Sequence, residues 1–126
     1  MNILIVEDND IQLQSLYKIL SEKYTEDSFT YMLADNYDEA ICIINTNNID
    51  IFILDIALGD NPNGGIDIAR FIRFKKNMPY TPIIFITSIA TQITTALNEL
   101  HCCSYIYKPY KPDDVYSAFN FCIHKD

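Results

Sequence analysis

The run Ile51-Phe52-Ile53-Leu54-Asp55 constrains this chain more than any other stretch. Its four apolar residues leave neither side of an extended strand polar, so the strand must be covered on both faces, as in a parallel sheet. Asp55 closes the run. At the carboxyl end of such a strand, a charged side chain lies at the edge where open α/β sheets hold their ligands. An acid in that place also has a plain structural use, capping the next turn. Its meaning therefore depends on which other polar residues reach the same edge.

Reading outward from that strand gives a repeating pattern. Asn2 to Val6 is a first apolar run ending in Glu7-Asp8-Asn9-Asp10, and Leu13, Leu16, Ile19 and Leu20 then form a helical stripe, with Asn9 or Asp10 as its cap. Phe29 to Ala34 reads as a second strand, and Asp38 to Ile44 as a second helix stopped by Asn45-Thr46-Asn47-Asn48. After Asp55 comes Leu58-Gly59-Asp60-Asn61-Pro62-Asn63-Gly64-Gly65, which holds all three glycines of the chain. Its backbone must take positive φ or pass close to something. Ile66 to Phe74 is a third helix, Pro82 to Thr87 a fourth strand, and Ile93, Ala96, Leu97 and Leu100 mark a fourth helix. Ser104 to Tyr107 is a fifth strand, followed by Lys108-Pro109-Tyr110-Lys111-Pro112 and a last helix with Val115, Ala118, Phe119 and Cys122 on one face. Alternating units of this kind predict an α/β fold: a five-stranded parallel sheet, doubly wound in the flavodoxin-like (βα)5 manner, with helices on both faces. All five strands then end at one edge.

A chain of 126 residues suits one domain, residues 1–126, with a core of ordinary size. Its net charge of −8 argues against direct binding to a phosphate backbone and favours basic partners or cations. The four cysteines, Cys42, Cys102, Cys103 and Cys122, have no metal-site spacing, and Cys42 and Cys122 fall in apolar helical patterns, where a thiol acts as a small hydrophobe. No signal peptide opens the chain and no apolar run reaches the length of a membrane span. A reducing cytoplasm is the expected compartment, with no membrane partner.

The strand ends bring Glu7, Asp8, Asp55, Thr87 and Lys108 to the shared edge. Three carboxylates together repel one another unless they share a cation, and hard oxygen donors of this kind suit Mg²⁺. A hydroxyl and an ammonium facing the same point suit an added anion. The set describes phosphoryl transfer to a carboxylate nucleophile. Singly, each residue has a structural use: Glu7 to Asp10 as a capping turn, Thr87 in a strand-end turn, Lys108 as a solvated charge. The convergence of all five is what those separate uses leave unexplained.

With those residues in view, the chain resembles the receiver domain of two-component response regulators over nearly its whole length. The resemblance is carried by Ile3-Leu4-Ile5-Val6-Glu7-Asp8, Ile53-Leu54-Asp55, Ile84-Phe85-Ile86-Thr87-Ser88 and Tyr105-Ile106-Tyr107-Lys108-Pro109. It implies that Asp55 accepts a phosphoryl group from a sensor histidine kinase. It further implies that Glu7, Asp8 and Asp55 hold Mg²⁺ with the backbone carbonyl of Ala57, and that Thr87 and Lys108 bind the phosphoryl oxygens. Tyr105 takes the aromatic switch position, its ring free to sample outward positions before phosphorylation, and the Lys108–Pro109 bond is expected to be cis. The resemblance also implies a signalling module, not an enzyme, with homodimerisation on phosphorylation and DNA reached only through a separate effector domain.

The loop from Leu58 to Gly65 is longer and richer in Asp and Asn than is usual in the family, and with Phe85-Ile86-Thr87-Ser88 it resembles receivers of LytTR-type transcription regulators. The residues two beyond Asp55 and Thr87 are Ala57 and Ile89, neither able to position an attacking water. Receivers commonly sit beside an effector in one chain, so an output domain outside these residues is expected; a stand-alone phosphorelay or docking module is the alternative. A flavodoxin-type carrier fails because Glu7 to Asp10 would repel its phosphate. A haloacid-dehalogenase-like phosphatase needs an acid two residues after its nucleophile, where this chain has Ala57.

Overall fold

The computed structural model describes residues 1–25 and 27–124. Five parallel strands, β1 (Asn2–Val6), β2 (Thr30–Ala34), β3 (Ile51–Leu54), β4 (Ile83–Thr87) and β5 (Ser104–Tyr107), form one sheet in the order β2-β1-β3-β4-β5. This is the doubly wound, flavodoxin-like arrangement expected, in which the chain reverses its winding direction between β1 and β3. The alternation of side chains along each strand splits the core in two. Leu4, Val6, Phe52, Leu54, Ile83 and Phe85 point to one face and pack with α2 (Tyr37–Thr46) and α3 (Gly64–Arg70). Ile3, Ile5, Ile51, Ile53, Ile84 and Ile86 point to the other, against α1 (Asp10–Lys23) and α4 (Pro112–Ile123). Ile51 to Leu54 are at most 1% exposed, so the central strand is covered on both sides, and each such side chain contributes about 1.5–3 kcal/mol by burial.

The caps follow sequence chemistry. Asn9 caps α1 by accepting from the Gln12 amide at 3.0 Å, and Asn36 caps α2 through Glu39 at 2.8 Å. Pro112 opens α4 in the first helical turn, where its missing N–H costs nothing.

The helical reading of the chain between β3 and β5 needs correction. The helix expected from Ile66 to Phe74 starts earlier, at Gly64, and continues beyond α3 as a π-helical stretch, Phe71–Lys75. The fourth expected helix is a short π-helical segment, Thr95–Glu99, closed by the Leu100 amide on the Thr95 carbonyl at 3.0 Å. The wider turn changes which residues share a face: Ala96 and Leu100 are buried, while Leu97 is exposed. Cys42, expected on the apolar side of α2, is exposed instead.

Arg73 connects these two π-helical stretches. It is buried, and its guanidinium donates to four backbone carbonyls: Leu100 at 2.7 Å, Met78 at 2.7 Å, Thr81 at 2.8 Å and His101 at 3.3 Å. Burial opposes its charge and lowers its pKa, yet the planar fork satisfies carbonyls that would otherwise be orphaned where His101 and Asn77 take positive φ. Arg73→Met should leave those carbonyls unpaired and lower the unfolding free energy by about 2–4 kcal/mol. Urea denaturation checks this, with a lower midpoint and an unchanged slope as the expected result.

Candidate functional site

Backbone register assembles the site before any side chain acts. Val6 pairs with Leu54, and the ladder runs one step past both strands: the Asp55 amide donates to the Val6 carbonyl at 3.0 Å, and the Glu7 amide to Ala34 at 3.1 Å. Glu7, Asp8 and Asp55 therefore arrive side by side, with ligating oxygens all within 4.8 Å of one another. On the other side, Thr87 pairs with Tyr107, and the Lys108 amide donates to the Thr87 carbonyl at 3.0 Å. A cis Lys108–Pro109 bond, as expected, follows.

The Lys108 ammonium bridges the two most buried acids. It donates to Asp55 Oδ2 at 2.7 Å and to Glu7 Oε1. The solvated reading of Lys108 is thereby replaced by a half-buried one. Asp55 Oδ1 accepts from the Ile56 amide at 2.6 Å, and Glu7 Oε2 from the Asn9 amide at 3.2 Å. Asp8 is exposed, and its Oδ2 accepts from the Gly59 amide at 2.9 Å.

Three carboxylates against one ammonium leave an excess of negative charge, and the titration of the groups reflects it. Burial pushes Glu7 from 4.5 up to about 7; the Lys108 and Asn9 donors pull the other way, while Asp8 and Asp55 add to the rise. Burial also raises Asp8, but the Gly59 amide, Glu7 and Lys108 outweigh it and hold it below its ordinary value. For Lys108, burial would lower the pKa, and the hydrogen bonds and charges of Asp55 and Glu7 overcome it and raise it. The ammonium keeps its proton.

Thr87 is fully buried, and its Oγ1 accepts from the Ile89 amide at 3.2 Å, the strand-end turn that its residue type suggests. Tyr105 is held, where freedom to swing outward was expected. Its hydroxyl donates to the Ile89 carbonyl, and its ring packs on Phe85 at 6.0 Å and Tyr107 at 5.3 Å between centroids. Ala57 lies in the loop two residues beyond Asp55. An open cleft of about 650 Å³ lined by Gln12, Asp55, Ser88, Lys108, Pro109 and Tyr110 gives access to Asp55.

Sequence reasoning left unassigned the residues that hold the loop under Asp55. Gly59 has φ +58° in a tight turn closed by reciprocal Leu58–Asn61 backbone bonds, and it presents its amide to Asp8. Gly65 passes so close to β3 that an added Cβ would sit 1.8 Å from the Asp55 carbonyl oxygen. The clustering of all glycines in this loop was the signal, and it serves both purposes: positive φ at one glycine, close approach at another.

A family model described as response regulator receiver domain matches residues 3–120. The chain belongs to that family. Receiver domains are signalling modules of two-component systems, and their kind of partner is a histidine kinase. A Rickettsia felis protein described as an NtrX-like response regulator is 30% identical over 90% of this chain and 23% of its own length. A Pyropia yezoensis protein described as transcriptional regulator ycf29 is 27% identical over 98% of this chain and 54% of its own. The chain thus spans a quarter to a half of these relatives. Among solved structures, a two-component response regulator from Clostridium difficile aligns with a TM-score of 0.81 at 26% identity, covering 99% of this chain and 97% of that one. The non-phosphorylated HemR receiver domain from Leptospira biflexa gives 0.80 at 26%, covering 99% and 95%. Among the described residues, no helix is long and apolar enough to cross a membrane.

The Glu7 carboxyl carries a testable pH signature. Its folded-state pKa, about 7, lies above the unfolded 4.5, so the folded receiver holds a proton that the unfolded chain has released. The stabilisation this gives is complete below pH 4.5 and is lost as pH rises through about 7, a change on the order of 3 kcal/mol without divalent cation. Chemical denaturation of the wild-type receiver and Glu7→Gln at pH 5 and pH 8, in EDTA, should show the wild type losing more stability on alkalinisation. Parallel behaviour of the two proteins would refute it.

Proposed function

We propose that Asp55 is the phosphoacceptor of this receiver, taking a phosphoryl group from the phosphohistidine of a sensor kinase. The observation that carries this is the cluster of Glu7, Asp8 and Asp55 facing a single ammonium, Lys108, beside an open cleft. Such a site is short of positive charge, and Mg²⁺, a hard cation that accepts a few carboxylates and keeps its waters, fits the donor set. Glu7, Asp8 and Asp55 would hold it, with the Ala57 carbonyl. When bound, the ion supplies charge neutralisation for the carboxylate and the incoming phosphoryl oxygens.

The chain's own groups divide the remaining work. An Asp55 oxygen attacks phosphorus in line with the departing imidazole nitrogen, and the P–N bond breaks as the P–O bond forms. The Ile56 amide and Lys108 orient the Asp55 carboxylate beforehand, which lowers the cost of reaching that geometry. Lys108 then pairs with the phosphoryl group. Thr87 still has a hydroxyl proton to give, so it can donate to a phosphoryl oxygen by turning away from the Ile89 amide. Ile89 thus links site and surface: its amide is held by Thr87 and its carbonyl by Tyr105. A charge-assisted bond of about 1.5–3 kcal/mol favours the turned state but falls short of the ~5.5 kcal/mol that full population reversal needs. Lys108 pairing and a partner selective for the phosphorylated surface make up the difference, through homodimerisation in our reading.

The output reading is transcription control through an effector domain that alone contacts DNA, in a cytoplasmic protein; the regulators among the longer relatives support it. The long Leu58–Gly65 loop favours a LytTR-type effector. DNA binding by the full-length protein with and without phosphodonor tests this part.

The chemical step has a direct test. Incubation with Mg²⁺ and acetyl phosphate should add one phosphoryl group, and Asp55→Asn or EDTA should abolish the mass shift; a shift surviving Asp55→Asn sinks the assignment. Mg²⁺ binding should also be pH-linked. Below about pH 7 the ion must displace the Glu7 proton, so apparent affinity should rise as pH increases through that range and then level off. Calorimetric titrations at pH 6 and pH 8 check the sign.

A further inference from the structure

Where β5 packs beside α4 the chain holds a second chemical feature, remote from the carboxylates. Cys103 precedes β5 and Cys122 lies in the last turn of α4, and their sulfurs are 3.3 Å apart, the Cys122 thiol donating to Cys103. Both side chains belong to the core on the α1/α4 face of the sheet. Cys122 is buried, whereas Cys103 is half-buried and lines an open groove of about 630 Å³ between β5 and α4, with Tyr107, Ser117 and Phe121 on its walls. None of the four cysteines is in a disulfide.

We infer that Cys103 and Cys122 form a reversible redox modification site, oxidised by hydrogen peroxide to a disulfide that ties the start of β5 to the end of α4. Closure to a disulfide of ~2.05 Å needs the sulfurs to approach by little more than 1 Å, a distance within reach of side-chain rotation. The groove lets a small peroxide reach Cys103 first. The Cys103 thiolate attacks one peroxide oxygen, the O–O bond breaks, and hydroxide leaves and is protonated, giving a sulfenic acid. Cys122 then loses its proton and attacks the Cys103 sulfur; the S–S bond forms as the S–O bond breaks, and a second water leaves. Two thiols are oxidised by two electrons, and one peroxide is reduced to two waters.

The neighbouring thiols are less suited. Cys102 packs on the opposite face of the sheet, and burial, with a smaller push from Cys103, raises its thiol to about 11, so it stays protonated. Cys42 is exposed on α2, in the same opposite-face layer of the fold. The inference does not depend on the phosphoryl chemistry at Asp55.

The experiment is peroxide titration of the whole chain, followed by intact mass and peptide mapping. The expected result is a mass loss of about 2 Da and disappearance of two of the four reactive thiols. A single peptide pair should join Cys103 to Cys122, with full reversal by dithiothreitol. The cross-linked protein should melt about 5–10 °C above the reduced one, as closing a loop of this size predicts. Cys42→Ser with Cys102→Ser should behave identically, because the pair is intact. Cys122→Ala should leave a sulfenic acid on Cys103 that dimedone traps; Cys122→Ser serves equally where the alanine variant folds poorly, and Cys103→Ser should form no intramolecular bond. A bond between Cys102 and Cys103, cross-links only between chains through Cys42, or oxygen adducts on Cys103 with Cys122 present would each overturn the inference.

Discussion

Three carboxylates at one end of a sheet can share a half-buried pocket only if something positive joins them, and the organisation of this receiver depends on that constraint. Lys108 supplies one charge, reaching from the end of β5 to acids that follow β1 and β3. One charge is too few for three acids, and burial, with a smaller push from Asp8 and Asp55, drives the Glu7 carboxyl up to about 7. The site is therefore unsatisfied in a definite sense: folding brings the acids together at a cost that a divalent cation, as proposed, would relieve. Perturbed acids clustered in a cleft are where functional sites are found.

The fold bears the cost of that arrangement through backbone pairing. Because Asp55 and Glu7 each continue the ladder one residue past their strands, their side chains have little freedom to separate. The central strand that carries Asp55 is buried on both sides, so the acid is mounted on a fully packed element of the sheet. Beneath it, Gly65 runs against the Asp55 carbonyl, closer than any other residue could. The packed strand and the close backbone hold the carboxylate in place while the cleft in front of it stays open.

Much of this was legible in the amino-acid sequence, for physical reasons that also mark where legibility ended. The buried run Ile51 to Leu54 admits only a strand covered on both faces, and alternating units then force all strand ends to one edge, so Glu7, Asp8, Asp55, Thr87 and Lys108 were found together without geometry. The apolar period of Ile93, Ala96, Leu97 and Leu100 suggested an ordinary helix, but backbone closure five residues apart put Leu97 outside. No local pattern announces that closure. The four carbonyls that Arg73 gathers come from two stretches of chain, residues 78–81 and 100–101, and no spacing in the sequence announces their meeting. Cys103 and Cys122 were invisible as a pair for the same reason: their meeting depends on how α4 lies across the sheet, which spacing does not encode.

On the proposed reading, coupling between site and surface would pass through the backbone of one residue, Ile89. Ile89 gives its amide to Thr87 and its carbonyl to Tyr105, so a rotation of the threonine hydroxyl cannot leave the tyrosine's hydrogen-bond partner unaffected. Both side chains use this unit in the conformation described here, which makes it the state that phosphorylation at Asp55, as proposed, would disrupt. The Tyr105 hydroxyl must then exchange its carbonyl partner for another, while its ring keeps or gives up Phe85 and Tyr107. Neither loss is large compared with a charge-assisted bond to a phosphoryl oxygen. On the proposed reading, one covalent group, aided by a partner, would decide between the two arrangements.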